Sequence, residues 1–196
     1  MKKKILVTLS VIACALLLVV GSVVGTFAYL TSNATVTNTF TVGNVAITMD
    51  ETDVDNSTPD KDRDTVNSYK LMPGHTYTKD PEIHVDPASE DCWLFVKLSD
   101  GLESIQAEDT VEQQLIKNGW SCIDEANNIW AHENVASAND DVKVFDYIKV
   151  KGDVNSEDLA AYNNAKVSVV AYAIQADGFT SAEAAWNAAK TAGDIA

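Results

Sequence analysis

Positive charge is scarce in this sequence. Fourteen lysines and arginines stand against 29 aspartates and glutamates, for a formal net charge of −15 at pH 7. Such a surface repels nucleic acid and anionic lipid, and there is no Lys/Arg-rich patch with interleaved aromatics to offset it. Cysteine is nearly absent: Cys14, Cys92 and Cys122 are the three. None forms a C-x-x-C pair and none has a His pair nearby, so a thiolate metal site and a thiol catalyst are not expected. Only three histidines occur, His75, His84 and His132. The fragment His132-Glu133 opens like the zinc-protease signature H-E-x-x-H, but the position for the second histidine is Ala136. A Gly-rich phosphate loop, a serine nucleophile elbow, an internal repeat and a coiled-coil heptad are also missing. No LPxTG-like sorting signal closes the sequence, so wall attachment by that route is not expected.

The N-terminal region has the layout of a secretory signal. Lys2, Lys3 and Lys4 precede an apolar run over residues 5–30, and "GTFA" offers small residues at Thr26 and Ala28. Cleavage is therefore expected between Ala28 and Tyr29. An uncleaved membrane anchor is the competing reading, since the run is long enough to span a bilayer. "VIAC", residues 11–14, resembles a lipoprotein box only loosely, because the apolar run continues well past Cys14. Loss of the three lysines would leave 11 cations against 29 carboxylates, a net charge of −18. The expected location is secreted, in the extracellular matrix or at the cell surface, with membrane contact only through the uncleaved signal. In an oxidising compartment Cys92 and Cys122 either form a disulfide across neighbouring strands or remain two separate buried thiols.

Beyond residue 28 the patterns are mainly those of strands. Residues 35–50 read as two strands broken at Gly43-Asn44, with Val36, Phe40, Val42, Val45 and Ile47 as strand-forming residues. Residues 50–68 are acidic, polar and aperiodic, as a surface loop is. Short strands are expected around 76–79 and 82–86, and a longer one at 92–99. Residues 108–118 turn helical, with Thr110 and Gln113 as a capping box and Val111, Leu115 and Ile116 as an apolar stripe. A hairpin follows over 120–132, then one alternating strand at 142–151 and a short capped helix in "NSEDLAAYNNA". "KVSVVAYAIQA" is the most strand-like run and is expected to be central. A last helix follows Thr180 and Glu183, read as a second capping box. Strands in succession with two or three short helical insertions indicate a mainly β, antiparallel β-sandwich rather than a parallel βαβ sheet. One sandwich domain is expected over residues 41–196.

Two ligand classes can be weighed from composition. Asp60, Asp62 and Asp64 have the spacing that opens an EF-hand, but Thr65 stands where Gly is needed and Leu71 where Glu is needed. A looser, weak calcium site from Asp50, Asp53, Asp55, Asp60 and Asp62 remains, against the plainer reading of a solvated acidic loop. Trp93, Trp120, Trp130 and Trp186 could stack on a glycan. More simply, they fill the core.

Three stretches carry a resemblance: the "GTFAYLTS" exit, the "NTFTVGNVAI" strand pair and "KLMPGHTYTKDPEIHV". Together with "DCWLFVKL" and "VSVVAYAIQADGFTSAEAAWNAA", they resemble the TasA/camelysin (CalY) family of Gram-positive secreted proteins. The likeness runs over most of the chain and is strongest in the first half. It implies a jelly-roll-like sandwich, release by the signal peptidase SipW, and assembly into fibres of the biofilm matrix. In assembling members of the family, the N-terminal segment freed by cleavage adds as a strand to the next subunit. By resemblance the candidate donor here is residues 29–40, with Tyr29, Leu30, Val36 and Phe40, and the partners are further copies of the chain or related matrix subunits. Camelysins are described as metalloproteases, but the failed H-E-x-x-H does not support carrying that activity over. The expected protein is no enzyme and needs no cofactor, with calcium as the one candidate ion. The alternatives are a camelysin-like cell-surface metalloprotease and a monomeric calcium- or glycan-binding module.

Overall fold

The computed structural model describes residues 43–57, 61–193 and 195. The signal region, its cleavage point and the donor segment with Tyr29, Leu30, Val36 and Phe40 lie outside the described residues, as does Asp60. All elements belong to one compact unit, Val42–Ala196.

The described chain is mainly β, with ten strands, every pair of them antiparallel. One sheet contains β1 (Ile47–Thr52), β2 (Arg63–Asp64), β4 (Glu82–Val85) and β8 (Asp141–Lys143), in the order β2-β1-β4-β8. A second contains β5 (Cys92–Asp100), β6 (Trp120–Asp124), β7 (Ile129–His132) and β10 (Val167–Gln175), in the order β10-β5-β7-β6. A short ribbon joins β3 (Thr76–Thr78) to β9 (Tyr147–Lys149).

Period-two alternation builds the core. On β5, Cys92, Leu94, Val96 and Leu98 point into an apolar cluster that also takes Ile83 and Val85 from β4 and Trp130 from β7. Both four-stranded sheets thus share one core, a sandwich-like arrangement. The opposite face of β5 carries Trp93 and Phe95, which meet Ala185 and Trp186 of α3 (Ala182–Ala192). The Phe95 and Trp186 rings lie 5.0 Å apart. β5 is therefore covered on both faces, and its run of buried residues follows from that.

The other helices are α1 (Val111–Lys117) and α2 (Ser156–Ala160). The capping box of α1 is present in full: the Gln113 N–H donates to Thr110 Oγ1 at 3.3 Å, and the Thr110 N–H donates to Gln113 Oε1 at 2.9 Å.

Four sequence expectations change. The strand at 142–151 is two, β8 and β9, because Val144 and Phe145 are both fully buried and no alternating strand can bury two successive side chains on one face. On α1, Val111 and Leu115 are buried but Ile116 is 63% exposed, and Gln114 takes the inward place. α3 is capped by Ser181, whose Oγ accepts from the Ala184 N–H, and the Ala184 methyl offers no acceptor to reciprocate as Glu183 was expected to do. Among the described residues β10 stands at the edge of its sheet, where a central strand was expected.

Candidate functional site

The acidic loop closes on itself through β1 and β2. Pairing of Glu51 with Asp64 brings the loop's far end back beside its start. Asp53, Asp55 and Asp64 then each place one carboxylate oxygen within 4.8 Å of the others. The oxygens are engaged from several sides. The Ser57 Oγ–H donates to Asp64 at 2.7 Å and the Ser57 N–H to Asp55 at 3.0 Å, while the Ser68 N–H donates to Asp55 at 2.7 Å. The hydrogen bonds from Ser57 and Ser68 hold the Asp55 carboxyl below its ordinary value. Three carboxylates supply only part of the six to eight oxygens calcium takes.

Of the calcium ligands expected from sequence, Asp53 and Asp55 come together and Asp64 joins them. Asp62 contributes its carbonyl to the Asp53 N–H. Asp50 belongs elsewhere. Its carboxylate bonds the Arg63 Nε–H and lies 3.1 Å from His84 Nε2. Arg63 also reaches Asp80 at 3.3 Å and Glu82 at 3.6 Å. The other ring nitrogen of His84, Nδ1, is 2.6 Å from Asp141. Sequence reasoning did not find this network, since its partners are up to 57 residues apart. Burial pushes the Asp50 carboxyl up, but the bonds from Arg63 and His84 outweigh it and hold it low. Burial pushes His84 down, and its bonds to Asp141 and Asp50 outweigh that and raise it.

The cysteines are two free thiols, Cys92 buried and Cys122 exposed. Both sit in the same sheet, but β7 separates them. Cys122 stands opposite Trp130, and Trp130 opposite Val96, four residues along β5 from Cys92. Two strand spacings across and four residues along amount to roughly 16 Å between Cα atoms, far beyond disulfide reach. The cross-strand disulfide weighed from sequence does not form. Burial, with Asp91 and Asp140 nearby, pushes the Cys92 thiol up to about 11.

His75 meets Tyr77 edge to face, His84 sits on β4 and His132 ends β7, its Nδ1 3.0 Å from the Asn134 carbonyl. A strand at His132 rules out the helical geometry that H-E-x-x-H needs. Trp120 and Trp130 lie in the inter-sheet core, and Trp93 and Trp186 under α3.

One side of the molecule is built differently. β10 is nine residues long, and nothing pairs with its outer edge among the described residues. Gly43 and Val45, where the described chain begins, share a surface depression with Tyr172, Ala173 and Gln175 at the end of β10. No helix among the described residues is long and apolar enough to cross a membrane. No family model, curated protein or solved structure matches this chain.

Proposed function

We propose that this chain is a secreted structural protein of the extracellular biofilm matrix. In this reading the signal is cut between Ala28 and Tyr29 by a SipW-type peptidase, and the body is a jelly-roll sandwich. Subunits join head to tail, each giving its N-terminal segment as a strand to the next. A head-to-tail contact that does not close a ring extends into a filament.

The observation that carries the reading is the pairing of a charge-free N-terminal segment with an antiparallel body that, among the described residues, leaves the long edge of β10 unpaired. No Asp, Glu, Lys or Arg occurs between Lys4 and Asp50, in a chain that is otherwise strongly acidic. A β-prone segment of this kind is a poor free tail and a good added strand. The reading assigns the protein no catalytic activity and no cofactor. Calcium enters only as a counter-ion to the acidic surface.

Negative-stain electron microscopy of the chain beginning at Tyr29, beside one beginning at Thr41, tests the proposal. Filaments from the longer chain alone support it. Filaments from neither overturn it, and zinc content with casein cleavage would then test the camelysin-like reading.

A further inference from the structure

The edges of the two four-stranded sheets are not alike. β2 is two residues long and both are charged. β8 is three residues long with Asp141 and Lys143. β6 is broken by an irregular register between Cys122 and Asp124. These are the usual devices that keep sheet edges from pairing with other chains. β10 has none of them. It is "VSVVAYAIQ", nine residues without charge, proline or register shift.

The hydrogen-bond parity of β10 identifies its free groups. The Gly101 N–H donates to the Lys166 carbonyl and the Ala176 N–H to the Asp91 carbonyl. With Val167 opposite Asp100 and Gln175 opposite Cys92, the even-numbered residues exchange bonds with β5. The N–H and C=O groups of Val167, Val169, Ala171, Ala173 and Gln175 therefore point outward. The side chains of Val167, Val169, Ala171 and Ala173 lean into the inter-sheet core but are only half-buried, like Val45, Ile47 and Met49 of the facing sheet. β2 pairs only with Glu51 and Thr52, so the outer edge of Ile47–Asp50 is also unpaired among the described residues. The core is open along the side between β1 and β10.

We propose that the outer edge of β10 is the acceptor, and that it takes residues 29–40 of a second copy of this chain as an antiparallel strand. The inference rests on the strand-donation reading above and gives it an address. The segment fits the slot chemically. In "TVTNTF", residues 35–40, an extended chain puts Val36, Asn38 and Phe40 on one face and three threonines on the other. Val36 and Phe40 would cover the half-open core, with Asn38 between them as the one polar side chain on that face. The twelve residues of the segment are enough to run the whole length of the nine-residue β10, and both strips are uncharged in an otherwise repelling pair. A second copy is favoured over the chain's own segment by direction. The described chain begins beside the C-terminal end of β10, so its own segment laid back along the edge would run parallel. Every described pair is antiparallel, the slightly more stable arrangement.

Ala171→Pro tests the address. It removes an outward N–H without touching the β5 ladder, and proline is tolerated at such edge positions. Made in the chain from Tyr29, the variant keeps its own donor segment. It should form no filaments alone, and a one-tenth admixture should shorten wild-type filaments several-fold by capping them. Filaments from Ala171→Pro equal to wild type, at unchanged circular dichroism, overturn the address and leave strand donation standing. Wild-type chains that form no filaments overturn both. Should the variant misfold, hydrogen exchange on wild type decides. The amides of Val169, Ala171 and Ala173 should exchange at least tenfold more slowly in filaments than in dissolved subunits, and unchanged exchange overturns the address.

Discussion

His84 holds Asp141 through Nδ1 at 2.6 Å, and its Nε2 lies 3.1 Å from Asp50, so one ring ties β8 and β1 to β4 between them. The protonated ring can satisfy both carboxylates. The raised value of His84 means that this stabilisation is fully present below the ordinary histidine value of about 6.5. It is lost as pH rises through the folded value. Asp50 is held low, so its share is present above about 3.9 and is lost as pH falls through the folded value. The unfolding free energy from denaturant titration should decline from pH 6.5 toward 8, by less than about 1 kcal/mol for groups this close to solvent. In His84→Asn that decline should vanish. An unchanged decline would mean another group is responsible.

A buried polar side chain makes a sharper stability test. Gln114 lies inside α1's packing face, and its Oε1 accepts from the Asp146 and Tyr147 N–H groups at 3.0 and 3.2 Å. Its Nε2 donates to the Tyr147 and Asp109 carbonyls. Gln114→Leu keeps the volume and orphans these groups. We expect a loss of about 1–3 kcal/mol by urea denaturation, more than the polarity of an exposed helix position would suggest. A neutral result would place Gln114 at the surface.

The thiols should behave independently. In the chain from Tyr29, one equivalent of maleimide should react quickly at Cys122, while Cys92, fully buried with its thiol pushed up to about 11, should react only after unfolding. An intact mass two protons short of the reduced chain would contradict this.

Strand periodicity made much of this fold legible. β5, the hairpin of β6 and β7, and the capping box of α1 follow from alternation and from Thr110 and Gln113. What decides between centre and edge is not in a strand's own sequence: the Val/Ala alternation of β10 reads the same in either place. The break between β8 and β9 depends on Val144 and Phe145 both turning inward, which local pattern does not reveal. The acidic loop illustrates the same limit. Asp53 and Asp55 were marked as ligands by composition, but Asp64 joins them only because it pairs with Glu51, and Asp50 leaves because Arg63 and His84 come to it from β2 and β4.

Charge should govern assembly. Subunits freed of the signal, at −18, would repel one another, and protons or divalent cations would relieve that. Filament yield, read by sedimentation, should rise as pH falls toward the carboxylate range of about 4 or as calcium is added. Assembly insensitive to both would remove repulsion from the account.

The most direct measurement is filament growth in the presence of excess synthetic peptide corresponding to residues 29–40. If subunits join by donating that strand, the free peptide should occupy the acceptor, stop growth and remain bound to single subunits at one per chain. Growth at an unchanged rate, with no peptide bound, would contradict strand donation.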